Sequence, residues 1–256
     1  MNTLPGMPLA LVTGAGRRRG IGAAICRALA ATGYDIFFTH WQSYDQIMPW
    51  GADADGPAAL EEELRATGIR CASMDVDLSL PESPMRVLDA AQASGALTVL
   101  VNNAAYSTQT NVDTLDAASL DAHYAVNVRA AALLSVGFAR RFHGEHGRII
   151  NLTSGQSLGP MPDELAYAMS KGAIETFTRS LAPAIMARGI TINAVNPGPT
   201  DTGWMNDEVK MALLPRFPGG RLGQPDDVAR LITFLASRAA DWITGQVIHS
   251  EGGFVR

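Results

Sequence analysis

The chain has 256 residues, enough for one large α/β unit or two small ones, with a substantial core. It is 47% hydrophobic and 18% charged, and its net charge of −5 gives no electrostatic reason to expect nucleic acid or an anionic membrane as a partner. Two cysteines, Cys26 and Cys71, form neither a disulfide framework nor a metal-ligand cluster, so no metal is expected and a reducing, cytoplasmic setting fits. Residues 1–8 lack a charged segment followed by a long apolar run, and no stretch of about 18 uninterrupted apolar residues occurs. Neither a secretory signal nor a spanning helix is expected.

Residues 9–13 (Leu9-Ala10-Leu11-Val12-Thr13) form a short apolar run ending in glycine, as a buried strand does. The stretch Gly14-Ala15-Gly16-Arg17-Arg18-Arg19-Gly20-Ile21-Gly22 follows, and Ile21, Ile25 and Leu29 then recur at helical spacing. Strand, glycine-rich loop and helix together suit a dinucleotide. Glycine lets the backbone approach a pyrophosphate, and the helix N-terminus supplies free N–H groups.

Residues 34–39 read as a second strand. A reader of an unphosphorylated adenosine ribose usually carries an acid near that strand's end, whereas this one ends Thr39-His40-Trp41-Gln42. Three arginines stand in the glycine loop instead and would welcome a 2′-phosphate, which favours NADP(H) over NAD(H). The plainer alternative makes Arg17, Arg18 and Arg19 solvated loop residues. Residues 42–57, with Tyr44, Met48 and Trp50, read as an irregular insertion too polar and broken for a helix. Its aromatic rings could cover an adenine, pack on a partner subunit or simply anchor the loop. A short helix over 58–66 follows.

A third strand spans 69–76 and runs into Asp75-Val76-Asp77-Leu78-Ser79, and a helix starts near Pro81. A fourth spans 97–101 and runs into Asn102-Asn103-Ala104-Ala105, whose small residues allow a ligand to lie close. A long helical pattern covers 116–142 and contains Asn127, whose amide needs partners if buried. Residues 147–153 are a fifth strand, with Ser154 just past its carboxyl end.

The next helix, reaching about residue 188, carries Tyr167-Ala168-Met169-Ser170-Lys171. A tyrosine and a lysine four apart share a helix face. A phenol has a reference pKa of about 10, and a neighbouring ammonium could lower it by roughly 1–3 units, giving a tuned acid/base. A sixth strand spans 190–196, and the prolines 197 and 199 break the chain. Residues 204–217 are semi-helical and apolar, suited to a lid at about 200–220 over a moderately hydrophobic substrate. A helix over 225–237 and a strand over 246–249 close the pattern. Strands alternate with helices throughout. The expected fold is a single-domain, Rossmann-like, doubly wound parallel sheet of about seven strands with helices on both faces, spanning 1–256.

Taken together, these residues resemble the classical short-chain dehydrogenase/reductase family over nearly the whole chain. The matching segments are Thr13-Gly14 with Gly20-Ile21-Gly22, Asp77-Leu78-Ser79, Asn102-Asn103-Ala104-Ala105, Asn127, Ser154, Tyr167 with Lys171, Asn193-Ala194-Val195-Asn196-Pro197-Gly198 and Thr244-Gly245. The branch most resembled is the β-ketoacyl reductase-like one, through Gly220-Arg221-Leu222-Gly223-Gln224-Pro225 and Gly252-Gly253.

The resemblance implies an NADP(H)-dependent reduction of a ketone, such as a 3-oxoacyl compound, to a secondary alcohol, or the reverse. Tyr167 would be the acid/base, and Lys171 would hold the nicotinamide ribose and lower the pKa of Tyr167. Ser154 would bind the substrate oxygen, and Asn127 would position a relay water. Asp77 (or, as an alternative, Asp75) and Leu78 would meet the adenine, and Asn102 and Ala104 would line the adenosine ribose and the path to nicotinamide. Pro197, Gly198 and Thr202 would border nicotinamide and pyrophosphate, completing a cofactor site that also takes in Gly14, Gly16, Gly20, Ile21, Gly22, Thr39 and His40. A homotetramer or homodimer is implied, and the partner is a small carbonyl or alcohol.

Three departures from the family pattern stand out. The glycine loop is two residues longer than the usual Thr-Gly-x-x-x-Gly-x-Gly, so either Gly14 or Gly16 is its first glycine. A long loop is also a trait of enoyl reductases, but those space Tyr and Lys by seven. Ala105 replaces a common glycine. Pro183 falls in the catalytic helix, where it should kink or break it, and the basic residue common thereabouts in acyl-carrier reductases is missing. A silent cofactor-binding regulator is a further alternative, but it would have no need of the intact Asn127, Ser154, Tyr167 and Lys171 set.

Overall fold

The computed structural model describes residues 7–48, 50–53 and 55–256. Residues 1–6, most of the stretch read as free of a secretory signal, lie outside the described residues, as do Pro49 and Ala54 of the 42–57 insertion. Seven strands are found among the described residues: β1 (Leu9–Val12), β2 (Asp35–His40), β3 (Cys71–Asp75), β4 (Leu97–Asn102), β5 (Gly147–Leu152), β6 (Ile190–Asn196) and β7 (Val247–His249). They form one parallel sheet in the order β3-β2-β1-β4-β5-β6-β7. The order reverses between β1 and β4, which opens a crevice beyond their carboxyl ends.

Successive strand residues face opposite sides, and both sides are covered. Ala10, Val12, Ile36 and Phe38 pack with Ile25 and Leu29 of α1 (Ile21–Ala31) and Ile232 of α9 (Pro225–Ala236). On the other face Leu9, Leu11, Leu100 and Ile149 meet Leu88 of α4 (Ser83–Ser94), Leu134 of α6 (Ala131–Arg141) and Ile185 of α7 (Leu165–Ile185). Each fully buried Leu or Ile contributes roughly 1.5–3 kcal/mol. This two-sided core explains why β1 reads as an unbroken apolar run.

The remaining helices are α2 (Gln42–Ile47), α3 (Gly56–Ala66), α5 (Ala117–His123) and α8 (Asp207–Leu213). Three features differ from expectation. The insertion contains a helix, α2, where the sequence reads as broken. Six residues with none buried carry no apolar period to reveal it. Contacts made by Tyr44 and the neighbouring rings hold it instead. The 116–142 pattern is helical but uneven, since a π-helical segment, Tyr124–Ala130, joins α5 to α6 and contains Asn127. Such segments disturb the regular helical ladder and are frequent at functional sites. Finally, Pro183 does not break α7, which runs on to Ile185 before a tight turn, Met186–Arg188. The proline sits in the last turn, where the helix ends in any case.

Candidate active site

A cavity of about 1120 Å³ lies along the carboxyl ends of the central strands. Its floor is the glycine loop. Gly14 has φ +73°, and a Cβ there would stand 2.6 Å from the Ala104 backbone. A Cβ at Gly22 would stand 2.5 Å from the Gly14 carbonyl. Gly14 therefore makes the tight turn after β1, Gly20 precedes the first residue of α1, and the two extra residues lie between them. Gly16 is approached instead by the Asp45 carboxylate, 3.0 Å from where its Cβ would be. Thr13 Oγ1 accepts from the Asn103 and Ala104 N–H groups at 3.1 and 3.0 Å, and Asn103 Nδ2 donates to the Thr13 and Gly14 carbonyls at 2.9 and 2.8 Å. Thr39 Oγ1 and its carbonyl accept from Gly14 and Ala15. These bonds hold the bare-backbone cradle rigid.

Gly14, Gly16, Arg17, Gly20, Ile21 and Gly22 line the cavity, as do Thr39, His40, Leu78 and Ala104, and on the far wall Pro197, Gly198 and Thr202. Six expected residues do not: Asn102, Asp77, Arg18 and Arg19, and also Lys171 and Asn127, which are buried. Asn102 is buried, and its amide donates to Ala131 O, Ser135 Oγ and Asn151 Oδ1, at 3.4, 3.0 and 2.8 Å. It ties β4 to β5 and α6, and Asn103 faces the cavity in its place. Asp77 turns its carboxylate onto the N–H of Ser79 at 2.7 Å, leaving Val76 and Leu78 on the wall; the alternative, Asp75, is exposed beside His40. Arg18 pairs with Glu63 at 3.3 Å, and Arg19 is exposed. Neither lines the cavity, so of the three arginines only Arg17 reaches it. It donates to Thr202 O and Oγ1, each at 3.3 Å, lies 4.7 Å over the Trp50 ring and stands 3.8 Å from Asp45.

Trp41, Tyr44, Asp45, Met48 and Trp50 also line the cavity. Tyr44 accepts from the N–H of Ser107 at 3.1 Å, and its ring centroid lies 5.5 Å from that of Tyr106. The aromatics at 41–50 were the available signal. Asp45 had none, because only α2 folds it back onto the glycine loop.

Across the cavity stand Ser154, on the turn after β5, and Tyr167, in the first turn of α7. Lys171 lies one turn further on, 3% exposed, with Nζ 5.4 Å from the Tyr167 ring centroid and donating to the Leu152 carbonyl at 2.8 Å. Burial holds the Tyr167 hydroxyl well above its ordinary pKa. Glu164 and Tyr44 add to this, and a hydrogen bond with Ser154 opposes it. Burial also pulls Lys171 down to about 8. The expectation that Lys171 lowers the pKa of Tyr167 is thus not met by the protein alone. The two groups share one desolvated site that disfavours the charged form of each. Asn127 spends its side chain locally, accepting from Tyr106 N at 2.8 Å and donating to Tyr106 O and Ser170 Oγ, both at 2.9 Å.

Residues 14–255 match the family model described as enoyl-(acyl carrier protein) reductase. The chain belongs to the classical short-chain dehydrogenase/reductase family. It is 52% identical over 252 residues to the uncharacterized oxidoreductase YjdA of Bacillus subtilis (strain 168), covering 97% of each chain. It is 31% identical over 249 residues to the 3-oxoacyl-[acyl-carrier-protein] reductase FabG of Staphylococcus aureus (strain Mu50 / ATCC 700699), covering 95% of this chain and 96% of the other. Among solved structures, a short-chain dehydrogenase from Burkholderia cenocepacia J2315 in complex with NADP superposes with a TM-score of 0.85 at 35% identity, over 95% and 96% of the two chains.

As a short-chain dehydrogenase/reductase the chain is an oxidoreductase. Its cavity is also lined by Met161, Glu164, Trp204, Leu213, Arg216 and Phe254. Among the described residues, no group of three or more His, Cys, Asp or Glu could hold a metal, and no helix is long and apolar enough to cross a membrane.

Proposed function

We propose that the protein reduces a ketone to a secondary alcohol with NADPH, or runs the reverse, in one domain whose lid is residues 200–220. The observation that carries this reading is the placing of Ser154 and Tyr167 on the same cavity wall system as the glycine cradle, with Lys171 buried one helical turn behind the tyrosine. The cradle suits a pyrophosphate, because bare glycine backbone and the N-terminus of α1 face the cavity, in a loop packed too tightly for a Cβ at Gly14 or Gly22. Arg17 supplies the cation for a 2′-phosphate. When bound, the nicotinamide supplies or takes the hydride.

The chain's own residues handle the proton and the position. Tyr167, kept protonated by its surroundings, gives its proton to the carbonyl oxygen as that oxygen gains charge. The Ser154 hydroxyl donates to the same oxygen. Lys171 holds the ribose hydroxyls and backs the phenol. Asn127, its side chain already committed, would position a relay water through its main chain. Pro197, Gly198 and Thr202 border the nicotinamide side. Exposed Tyr124, Leu133 and Met169, on the helical stretch 117–141 and on α7, support a homodimer or homotetramer. A cytoplasmic location belongs to the same reading.

Titrating protein fluorescence with NADPH and NADH, then assaying ketones with the preferred cofactor, tests the proposal. NADPH should bind more tightly. Tyr167→Phe should lose roughly 10²–10⁴-fold in turnover while keeping NADPH binding. Wild-type turnover in that variant, or activity confined to α,β-unsaturated thioesters, would defeat it.

A further inference from the structure

The cavity lining carries three arginines, and two of them already face carboxylates: Arg17 faces Asp45, and Arg256 is paired through both terminal nitrogens with Glu251. Arg216 has no carboxylate partner among the described residues. It is nonetheless fixed in place. Its Nε donates to Val255 O at 2.8 Å, its carbonyl accepts from Val255 N at 2.9 Å, and its guanidinium lies 4.7 Å from the Phe254 ring centroid. With Nε spent, both Nη groups make no hydrogen bond within the described residues. A guanidinium held against an aromatic face with its two terminal nitrogens unspent is a fork for a planar anion. The entropy of ordering that side chain is largely lost before anything binds.

The placing of this fork relative to the chemistry follows from the same segment. Arg256 also lies against the Phe254 ring, 5.5 Å from its centroid, and packs against Gly155 and Gly159. Those glycines belong to the turn that begins at Ser154. A run of contacts thus leads from Arg216 through Phe254 and Arg256 to the turn next to Ser154, the group that would hold the reacting oxygen. Glu164 also lines the cavity, three residues before Tyr167, with no cation partner among the described residues. It repels an anion from the tyrosine, while Arg216 attracts one. These opposite charges on one cavity favour a single orientation for a molecule with a carbonyl at one end and a carboxylate at the other.

We propose that Arg216 receives a carboxylate of the substrate, so that the site acts on oxo acids, or on the matching hydroxy acids in reverse. This rests on the carbonyl-reduction reading above. The test compares 3-oxobutanoate, 4-oxopentanoate and 5-oxohexanoate with their ethyl esters, which share the ketone and lack the charge. At least one acid should exceed its ester in kcat/KM by about tenfold or more, through KM and more strongly at low salt. Arg216→Leu, checked for an unchanged melting temperature, should bring that ratio towards one, and Arg216→Lys should recover part of it.

Esters that outrun every acid, or an acid preference that survives Arg216→Leu, overturn the proposal and leave carbonyl reduction standing. Calorimetric titration of butanoate, pentanoate and hexanoate onto the NADPH-loaded protein separates the two readings if no ketone turns over. Binding that Arg216→Leu abolishes keeps the carboxylate site and removes the reductase reading, while no binding removes both.

Discussion

Arg17 Nε lies 3.8 Å from the Asp45 carboxylate, and both side chains are partly buried, at 22% and 15% exposure. The end of β2, which reads as lacking an acid, therefore acquires one from α2. The cation wanted for a 2′-phosphate is engaged before a cofactor arrives, and the phosphate must compete with Asp45 for it. Asp45→Asn frees the guanidinium. The variant should bind NADPH about two- to fivefold more tightly, with NADH unchanged or weaker. Equal tightening of both cofactors would show that Arg17 does not read the phosphate.

Glu164 and Tyr167 are linked in the same way. The carboxylate is held above its ordinary pKa by burial and by Asp163, and it is among the influences raising Tyr167. A negative neighbour disfavours phenolate, so removing its charge makes the phenol more acidic. In Glu164→Gln the pH profile for alcohol oxidation, which needs the phenolate, should move to lower pH, and reduction should fade earlier as pH rises. Profiles that overlay those of the wild type would show that the carboxylate does not act on Tyr167.

How much of this was legible in sequence depended on how local each cause was. The strands were readable because burial on both faces makes apolar runs, and Tyr167 with Lys171 because one helix sets their spacing. Asn102 and Asn103 show the limit. Adjacent residues at a strand end point opposite ways, and a single step decides which serves the β4–β5–α6 junction and which meets Gly14. Arg17 and Arg18 differ likewise, by which side of an elongated loop faces α2. Asp45 was invisible because nothing near it in sequence announces Gly16 as its neighbour.

Two glycine substitutions separate backbone need from mere flexibility. A Cβ at Gly22 would meet Gly14 O at 2.5 Å and Asn103 Nδ2 at 2.8 Å, both fixed parts of the cradle. Gly22→Ala should cost about 1–3 kcal/mol and weaken cofactor binding. Gly172, inside α7, has nothing within 4 Å of its Cβ position. Gly172→Ala should stabilise by roughly 0.5–1 kcal/mol with the cofactor affinity kept. Thermal unfolding with NADPH titration reads both, and a tolerated Gly22→Ala would mean that the loop can move aside.

Lys171 is where stability and chemistry should oppose each other. Burial pulls its ammonium from an ordinary 10.5 to about 8, so at pH 7 the folded protein carries a charge in a site that disfavours it. The displacement corresponds to about 3 kcal/mol, and losing the bond to Leu152 O offsets part of it, leaving on the order of 1–2 kcal/mol. Lys171→Met, similar in volume, should therefore melt higher at neutral pH while losing turnover. The sign against pH follows from proton counting. Between pH 8 and 10.5 the unfolded lysine stays protonated after the folded one has released its proton, so the wild type gains stability as pH rises. The advantage of methionine should shrink across that window. Melting curves from about pH 7 to 10.5 test this, and a methionine variant less stable at every pH would show that the Leu152 hydrogen bond outweighs the cost of burial.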